Sequence, residues 1–307
     1  MLQKKFFLPA LIVLTFLFTL HKTTTQNISK APFCHPSTKF AILVTSNAPH
    51  KELREAQRKA FPSPFLWKEF RASRLFLVAG GQDLIDEKDT LLGDFPESYR
   101  HLALKHIMGL SWVTFQCPSD TVIVKMDDDI AVDLPRLLKK AQKSLLSIGG
   151  WVHSNMNVRR NFSKWAVTRQ EFSEDVYPDF VSGWAYAMTS QSAKIILAKA
   201  TDDSFWIDDV WITGILRSPS IPLQAWNRFY TPYVEHLECC LADSRHLCDF
   251  LALPANGQSR LIEAFGQQSI NCYQNSCPKR SEQKYCRVAN PLFLPDTLGI
   301  GQVLEVK

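Results

Sequence analysis

From residue 38 onward, short apolar runs alternate with charged stretches patterned for helices. Residues 39–46 (KFAILVTS) are rich in strand formers, and after Pro49 a charged stretch over 51–59 predicts a helix. A second strand-like run, residues 74–79 (RLFLVA), stops at Gly80-Gly81, and a third, residues 121–126 (TVIVKM), stops at three aspartates. Between them, residues 99–113 place Leu102, Ile107 and Leu110 near helical spacing. Asp133-Leu134-Pro135 opens a further helix, because Asp caps well and Pro is tolerated only in the first turn. Its body over 136–146 carries Leu137, Leu138, Ala141 and Leu145 on one face. Residues 184–189 read as strand, 192–200 as helix, and 210–216 as a short helical run behind Asp208-Asp209. This alternation predicts an α/β fold with a mainly parallel central sheet and helices on both faces.

The N-terminus reads differently. Residues 6–20 carry no charge and follow Lys4 and Lys5, so the run is a targeting element. Phe18 to His21 offer no small-x-small cleavage site, and the two lysines favour a cytosolic N-terminus. The expected order is a cytosolic tail (1–5), a signal-anchor helix (6–21), a lumenal stem (22–37), a folded core (38–220) and a cysteine-rich remainder (221–307). A cleaved signal is the competing reading of the same run. Two sequons, at Asn27 and Asn161, fit a lumenal placement as glycosylation sites. So do eight cysteines, an even set with six of them from Cys239 on, which predict disulfides in an oxidising compartment. A zinc site using His236 or His246 is the rival, but no C-x-x-C pair exists. The formal charge of +5 is dispersed, with no block of like charges, so nucleic-acid binding has no support.

Three groups of residues carry candidate chemistry. Asp127-Asp128-Asp129 lie where a buried strand ends, the position at which open α/β sheets bind ligands. Strand alternation turns Asp127 and Asp129 to one side, where two carboxylates can hold a hard divalent cation and through it a diphosphate. A solvated acidic turn capping the next helix fits the same residues. Asp208-Asp209, flanked by aromatic residues at a helix start, fits a partly desolvated general base or an ordinary N-cap pair. Arg54 and Arg58 share a helix face, free to meet phosphates or to pair with Glu52 and Glu55.

Four ordered blocks resemble the β-1,3-galactosyltransferase and β-1,3-N-acetylglucosaminyltransferase family, and the chain looks closest to a divergent, nematode-like branch. Residues 54–61 (REAQRKAF) are similar to R-x-A-I-R-x-T-W. Residues 94–105 (DFPESYRHLALK), with Trp112 and Cys117, are similar to D-F-x-D-S-Y-x-N-L-T-L-K and its trailing W and C. Residues 125–132 (KMDDDIAV) match K-x-D-D-D-V-F-V, and 177–186 (YPDFVSGWAY) with Asp208-Asp209-Val210 match Y-P-x-Y-x-S-G-x-x-Y and E-D-V. The resemblance covers about residues 38 to 216. It implies a GT-A type nucleotide-sugar fold, a UDP-sugar donor, a glycoprotein or glycolipid glycan acceptor, a divalent metal such as Mn2+, inversion at the anomeric carbon, and a type II Golgi anchor. Carried over by residue, it implies Asp129 and Asp127 at the metal and Asp209, beside Asp208, as general base. Arg54, Arg58, Asp127, Asp128, Gly183 and Trp184 would contact the donor. The family's further metal-ligand histidine has only His236 and His246 as candidates, a departure that raises a catalytically impaired, ligand-binding member as the alternative, and His101 stands where the family has Asn, a change expected at the donor contacts. A metal-dependent phosphohydrolase would need further ligands at other strand ends, which the blocks do not supply.

Overall fold

A computed structural model describes residues 34–80, 87–143, 147–161, 163–201, 204–281 and 285–286. The anchor expected over 6–21 and the sequon at Asn27 lie outside these residues. Among the described residues no helix is long and apolar enough to cross a membrane. Asn161 is exposed.

The elements in chain order are β1 (Phe40–Thr45), α1 (Lys51–Ala60), α2 (Ser63–Phe70), β2 (Ala72–Ala79), β3 (Thr90–Gly93), α3 (Leu102–Gln116), β4 (Val122–Asp127), β5 (Ile130–Val132), α4 (Leu134–Ala141), β6 (Ile148–His153), β7 (Phe180–Thr189), α5 (Ser190–Leu197), β8 (Leu223–Ala225), α6 (Val234–Ala242), β9 (Ala252–Pro254) and α7 (Ser259–Asn275). Seven strands form one sheet in the order β3-β2-β1-β4-β7-β6-β8. Pairings among β3, β2, β1 and β4 are parallel, β7 runs antiparallel to both of its neighbours, and β8 is parallel to β6. The sheet is therefore mixed but mainly parallel. Alternate residues feed two cores, as a sheet covered on both faces requires. Phe40, Ile42 and Val44 pack with Leu53, Leu137 and Phe265 on one side. Ala41 and Leu43 pack with Leu110, Val113 and Ile196 on the other.

Strands β2 and β3 lie on one side of β1 and β4 on the other, so the strand order reverses between β1 and β4. Such a switch point leaves a crevice at the carboxyl ends of the two strands. In register, Thr45 of β1 faces Asp127 of β4. Because β7 is antiparallel to β4, its first residues, including Gly183 and Trp184, come to the same end.

Residues beyond 220 brace this end. Strand β9 pairs with β5 directly behind the aspartates, and the Ala255 amide donates to the Asp129 carbonyl at 3.0 Å. Asp133 caps α4 as its sequence suggests, accepting from the Arg136 amide at 3.2 Å. The triplet at 127–129 is thereby spared the capping role. Four disulfides, Cys34–Cys117, Cys239–Cys286, Cys240–Cys248 and Cys272–Cys277, use every cysteine, so no zinc reading survives.

Helix α7 lies against α1 at Gly266, where a Cβ would stand 2.4 Å from the Ala60 Cβ and 2.8 Å from its Cα. Backbone cannot give way cheaply, so the overlap should outweigh the helix-propensity gain of alanine. Gly266→Ala is expected to destabilise the protein by roughly 1–3 kcal/mol, read from its urea midpoint. An unchanged or raised midpoint would contradict the α1–α7 packing.

Candidate active site

The crevice at the switch point is a cleft of about 410 Å³ whose walls include Asp127, Asp128, Asp129, Gly183, Trp184, Asp208 and Asp209. At its centre stands Lys125, 1% exposed, pointing out of β4 beneath the cleft floor. Its Nζ donates to Asp127 Oδ1 at 2.7 Å and to the Gly183 carbonyl at 2.7 Å, and lies 3.6 Å from Asp208 Oδ2. One ammonium thus ties the acidic strand end to the acidic pair of a distant segment. Burial alone would strip its proton, but Asp127 and Asp208 outweigh burial and hold Lys125 charged.

The two members of the acidic pair are set apart by their partners. Asp208 also accepts from the buried His106 through Nδ1 at 3.1 Å, and the other ring nitrogen of His106 meets the Tyr186 hydroxyl. Burial would raise the Asp208 carboxyl, but Lys125 and His106 overcome it and keep Asp208 ionised below the usual range. Asp209 accepts from the Gly183 amide at 3.0 Å and from the Val210 amide at 2.8 Å, at the head of a π-helical turn over Val210–Ile215. Burial, and then the fixed charge on Asp208, push Asp209 upward. This is the separation of two neighbouring carboxyls that acid–base chemistry uses. Glycine fits closely at 183, where a Cβ would make a tight contact of 3.1 Å with the Lys125 Nζ and an ordinary one of 3.5 Å with the Asp209 Cβ.

The aspartate triplet divides its work. Asp128 is buried, accepting from Ser46 Oγ at 2.7 Å and pairing with His50 Nδ1 at 3.0 Å, a bond that raises the His50 pKa. Asp129 is exposed within the cleft. Asp127 sits between them in exposure, and burial lifts its carboxyl in spite of Lys125. The donor set open to a ligand is therefore two oxygen-bearing side chains, Asp129 foremost. Among the described residues no group of three or more His, Cys, Asp or Glu is placed to hold a metal. Hard carboxylate oxygens without a closed cage fit a hard divalent ion that completes its shell with phosphate and water.

Arg54 and Arg58, expected at the donor, do not line the cleft, and their guanidinia are taken up by other partners. Arg54 is fully buried and donates to Ser46 Oγ (3.1 Å), the Asn47 and Ala48 carbonyls (2.7 and 3.2 Å) and Glu87 (3.2 Å). Arg58 is taken up by Glu87 at 2.7 Å and Asp89 at 2.8 Å. Arg54 thereby holds Ser46 against Asp128, a bracing role. His101 donates through Nδ1–H to the Pro96 carbonyl, 2.7 Å away, and does not line the cleft. His236 bonds Thr231 at 2.6 Å and His246 pairs with Asp243 at 2.8 Å, both away from the aspartates. Trp184 lies edge-on to Trp151, with ring centroids 5.1 Å apart. Lys125, His106 and Tyr186 carry no sequence signal beyond their places in the family blocks or, for His106, beside one.

Residues 54–222, just over half of the chain, match the model of a family described as galactosyltransferase. Mouse β-1,3-galactosyltransferase 5 is 30% identical over 177 residues, covering 52% of this chain and 57% of that protein. Human β-1,3-galactosyltransferase 1 is 27% identical over 206 residues, covering 61% and 63%. The matches thus span less than two thirds of either relative. Among solved structures, the galactosyltransferase LgtC with donor and acceptor sugar analogues superposes with a TM-score of 0.40 at 11% identity, over 79% of this chain and 98% of that one. A mannosyltransferase from Pyrobaculum calidifontis gives 0.35 at 10% identity, over 89% and 84%.

Removing Lys125 leaves Asp127 and Asp208, both partly buried, facing each other without the ammonium between them. Lys125→Met is expected to destabilise the protein by about 3–5 kcal/mol in urea denaturation. Lys39→Met, which breaks an exposed 2.7 Å pair with Asp120, should cost under about 1 kcal/mol. Equal small effects would show that the ammonium does not hold the site together.

Proposed function

The chain belongs to the galactosyltransferase family, and from that premise we propose that it transfers galactose or an N-acetylhexosamine from a UDP-sugar to a glycoprotein or glycolipid glycan. The bond formed is a β-1,3 linkage, made with inversion on a GT-A type scaffold. What carries the reading is the joining, in one cleft, of strand-end carboxylates suited to a diphosphate-bound cation and a raised carboxylate suited to a base. Lys125 connects the two.

Asp129, with Asp127 beside it, would hold Mn2+, which when bound offsets the charge developing on the departing UDP. Lys125 fixes Asp127 in place, and Asp128 is held back from the cleft by Ser46 and His50. Across the cleft, Asp209 takes the proton from the acceptor hydroxyl as that oxygen attacks the anomeric carbon from the face opposite UDP. A single displacement converts an α-linked donor into a β-linked product. The Gly183 and Val210 amides aim the Asp209 carboxylate, and each of its oxygens keeps a lone pair for the incoming hydroxyl. Asp208 stays charged and so maintains the basicity of its neighbour.

The four disulfides support folding in an oxidising compartment. With residues 6–21 as a signal anchor, the domain would face the Golgi lumen on a single-pass type II membrane protein.

Asp209→Asn should lower transfer by about 10²–10⁴-fold with UDP binding retained, the range for loss of a positioned base. Because Asp209 is raised and works ionised, wild-type kcat/KM should fall on acidification with a midpoint well above the ordinary value of 3.8. Unchanged turnover in Asp209→Asn would overturn the assignment. UDP binding without transfer to any acceptor by the wild type would instead favour a ligand-binding protein on this fold.

A further inference from the structure

The cleft lining has parts of opposite character. The aspartates make one part acidic, whereas another wall carries Tyr99, just ahead of α3, and Trp165, on the loop between β6 and β7. The Trp165 indole N–H donates to the Tyr99 hydroxyl at 2.7 Å, joining the two rings into one surface. Lys164 holds its ammonium 4.4 Å from the Trp165 ring centroid and 5.6 Å from that of Tyr99, and the Arg159 guanidinium lies 5.2 Å from Trp165. Both cations line the cleft. Lys164 is exposed and pairs with no carboxylate among the described residues.

The loop that carries them is held in place. Arg160 donates to the Val167 and Phe172 carbonyls at 3.1 and 2.9 Å and also to that of Glu174. Glu171 is anchored to Arg100 at 2.6 Å, a bond that pulls its carboxyl down to about 2. The wall is thus preformed. It also shares the cleft with the base, since Tyr99 and Asp209 both line it. A sugar that presents a hydroxyl to Asp209 therefore shares the cleft with this wall.

We propose that the acceptor is an anionic saccharide, whose carboxylate or sulfate is received by Lys164 and Arg159 while its ring lies along Tyr99 and Trp165. This rests on the transferase reading and adds the acceptor class to it. The donor diphosphate is directed to the floor by Asp129 and Asp127, so the basic wall is left to the acceptor. Aromatic surfaces accept the apolar face of a sugar, and two cations lining the same cleft attract an anion beside it.

The test compares initial rates of the full chain with UDP-sugar and matched acceptors that differ only in a uronate carboxylate, a sulfate ester or neither. The acidic members should show an acceptor KM roughly five- to tenfold lower, with the preference shrinking as salt is raised. The uronate and sulfate arms identify which anion is preferred. The double variant Arg159→Gln, Lys164→Gln should erase the preference, with the change falling on acceptor KM and not on the inhibition constant of UDP; Arg159→Lys, Lys164→Arg should restore much of it. Equal handling of charged and neutral acceptors while UDP still binds would overturn this inference alone, as would a variant whose UDP constant moves instead. Loss of UDP binding by the wild type would overturn the transferase reading with it.

Discussion

The Lys125 ammonium is enclosed by acceptors drawn from three parts of the chain: Asp127 on its own strand, the Gly183 carbonyl on the neighbouring strand, and Asp208 from the segment after α5. Placing an ammonium below the cleft floor is costly unless its partners are close and fixed. The fold meets that demand with a switch-point sheet. Parallel β1 and β4 bring Thr45 and Asp127 side by side, and antiparallel β7 delivers Gly183 to the same end. A side chain at Gly183 would crowd the ammonium, its Cβ standing 3.1 Å from the Lys125 Nζ. With the charge on Lys125 fixed, Asp208 stays ionised, and an ionised Asp208 in turn raises Asp209. The electrostatics of the site therefore form one dependent chain.

Much of this was legible from residue pattern. Runs such as FAILVT and VIVKMD are continuous and apolar because both faces of their strands are buried, and they appear as β1 and β4. The cap at Asp133 and the carboxylates at the end of β4 follow from ordinary helix and sheet rules. Strand β6, IGGWVH, left little signal because its glycines make room for another residue: a Cβ on Gly149 would stand 2.1 Å from the Trp226 ring. Helix α7 was hidden by a buried face that includes Gly266, Gln268, Ser269 and Cys272 beside its apolar residues. The pattern marks burial only when burial is apolar.

The site was read unevenly for a related reason. Acidic pairs announce themselves by clustering, and Asp127 to Asp129 and Asp208-Asp209 do share the cleft. Arg54 and Arg58 looked like phosphate ligands because their helical spacing is right, yet Glu87 and Asp89, some thirty positions away, take both guanidinia. Conversely, Lys125 and His106 sit in apolar surroundings, and their partners lie far away in the chain. Long-range charge pairing is set by topology, and no local window contains it.

The central claim is that Asp129 and Asp127 form the half of the cleft that receives a nucleotide diphosphate through a hard cation. Calorimetric titration of UDP into the full chain, with and without Mn2+, addresses it directly. Saturable binding that requires Mn2+ and is lost in Asp129→Ala is expected. Equal UDP affinity with and without the ion, or in the variant, would contradict the account.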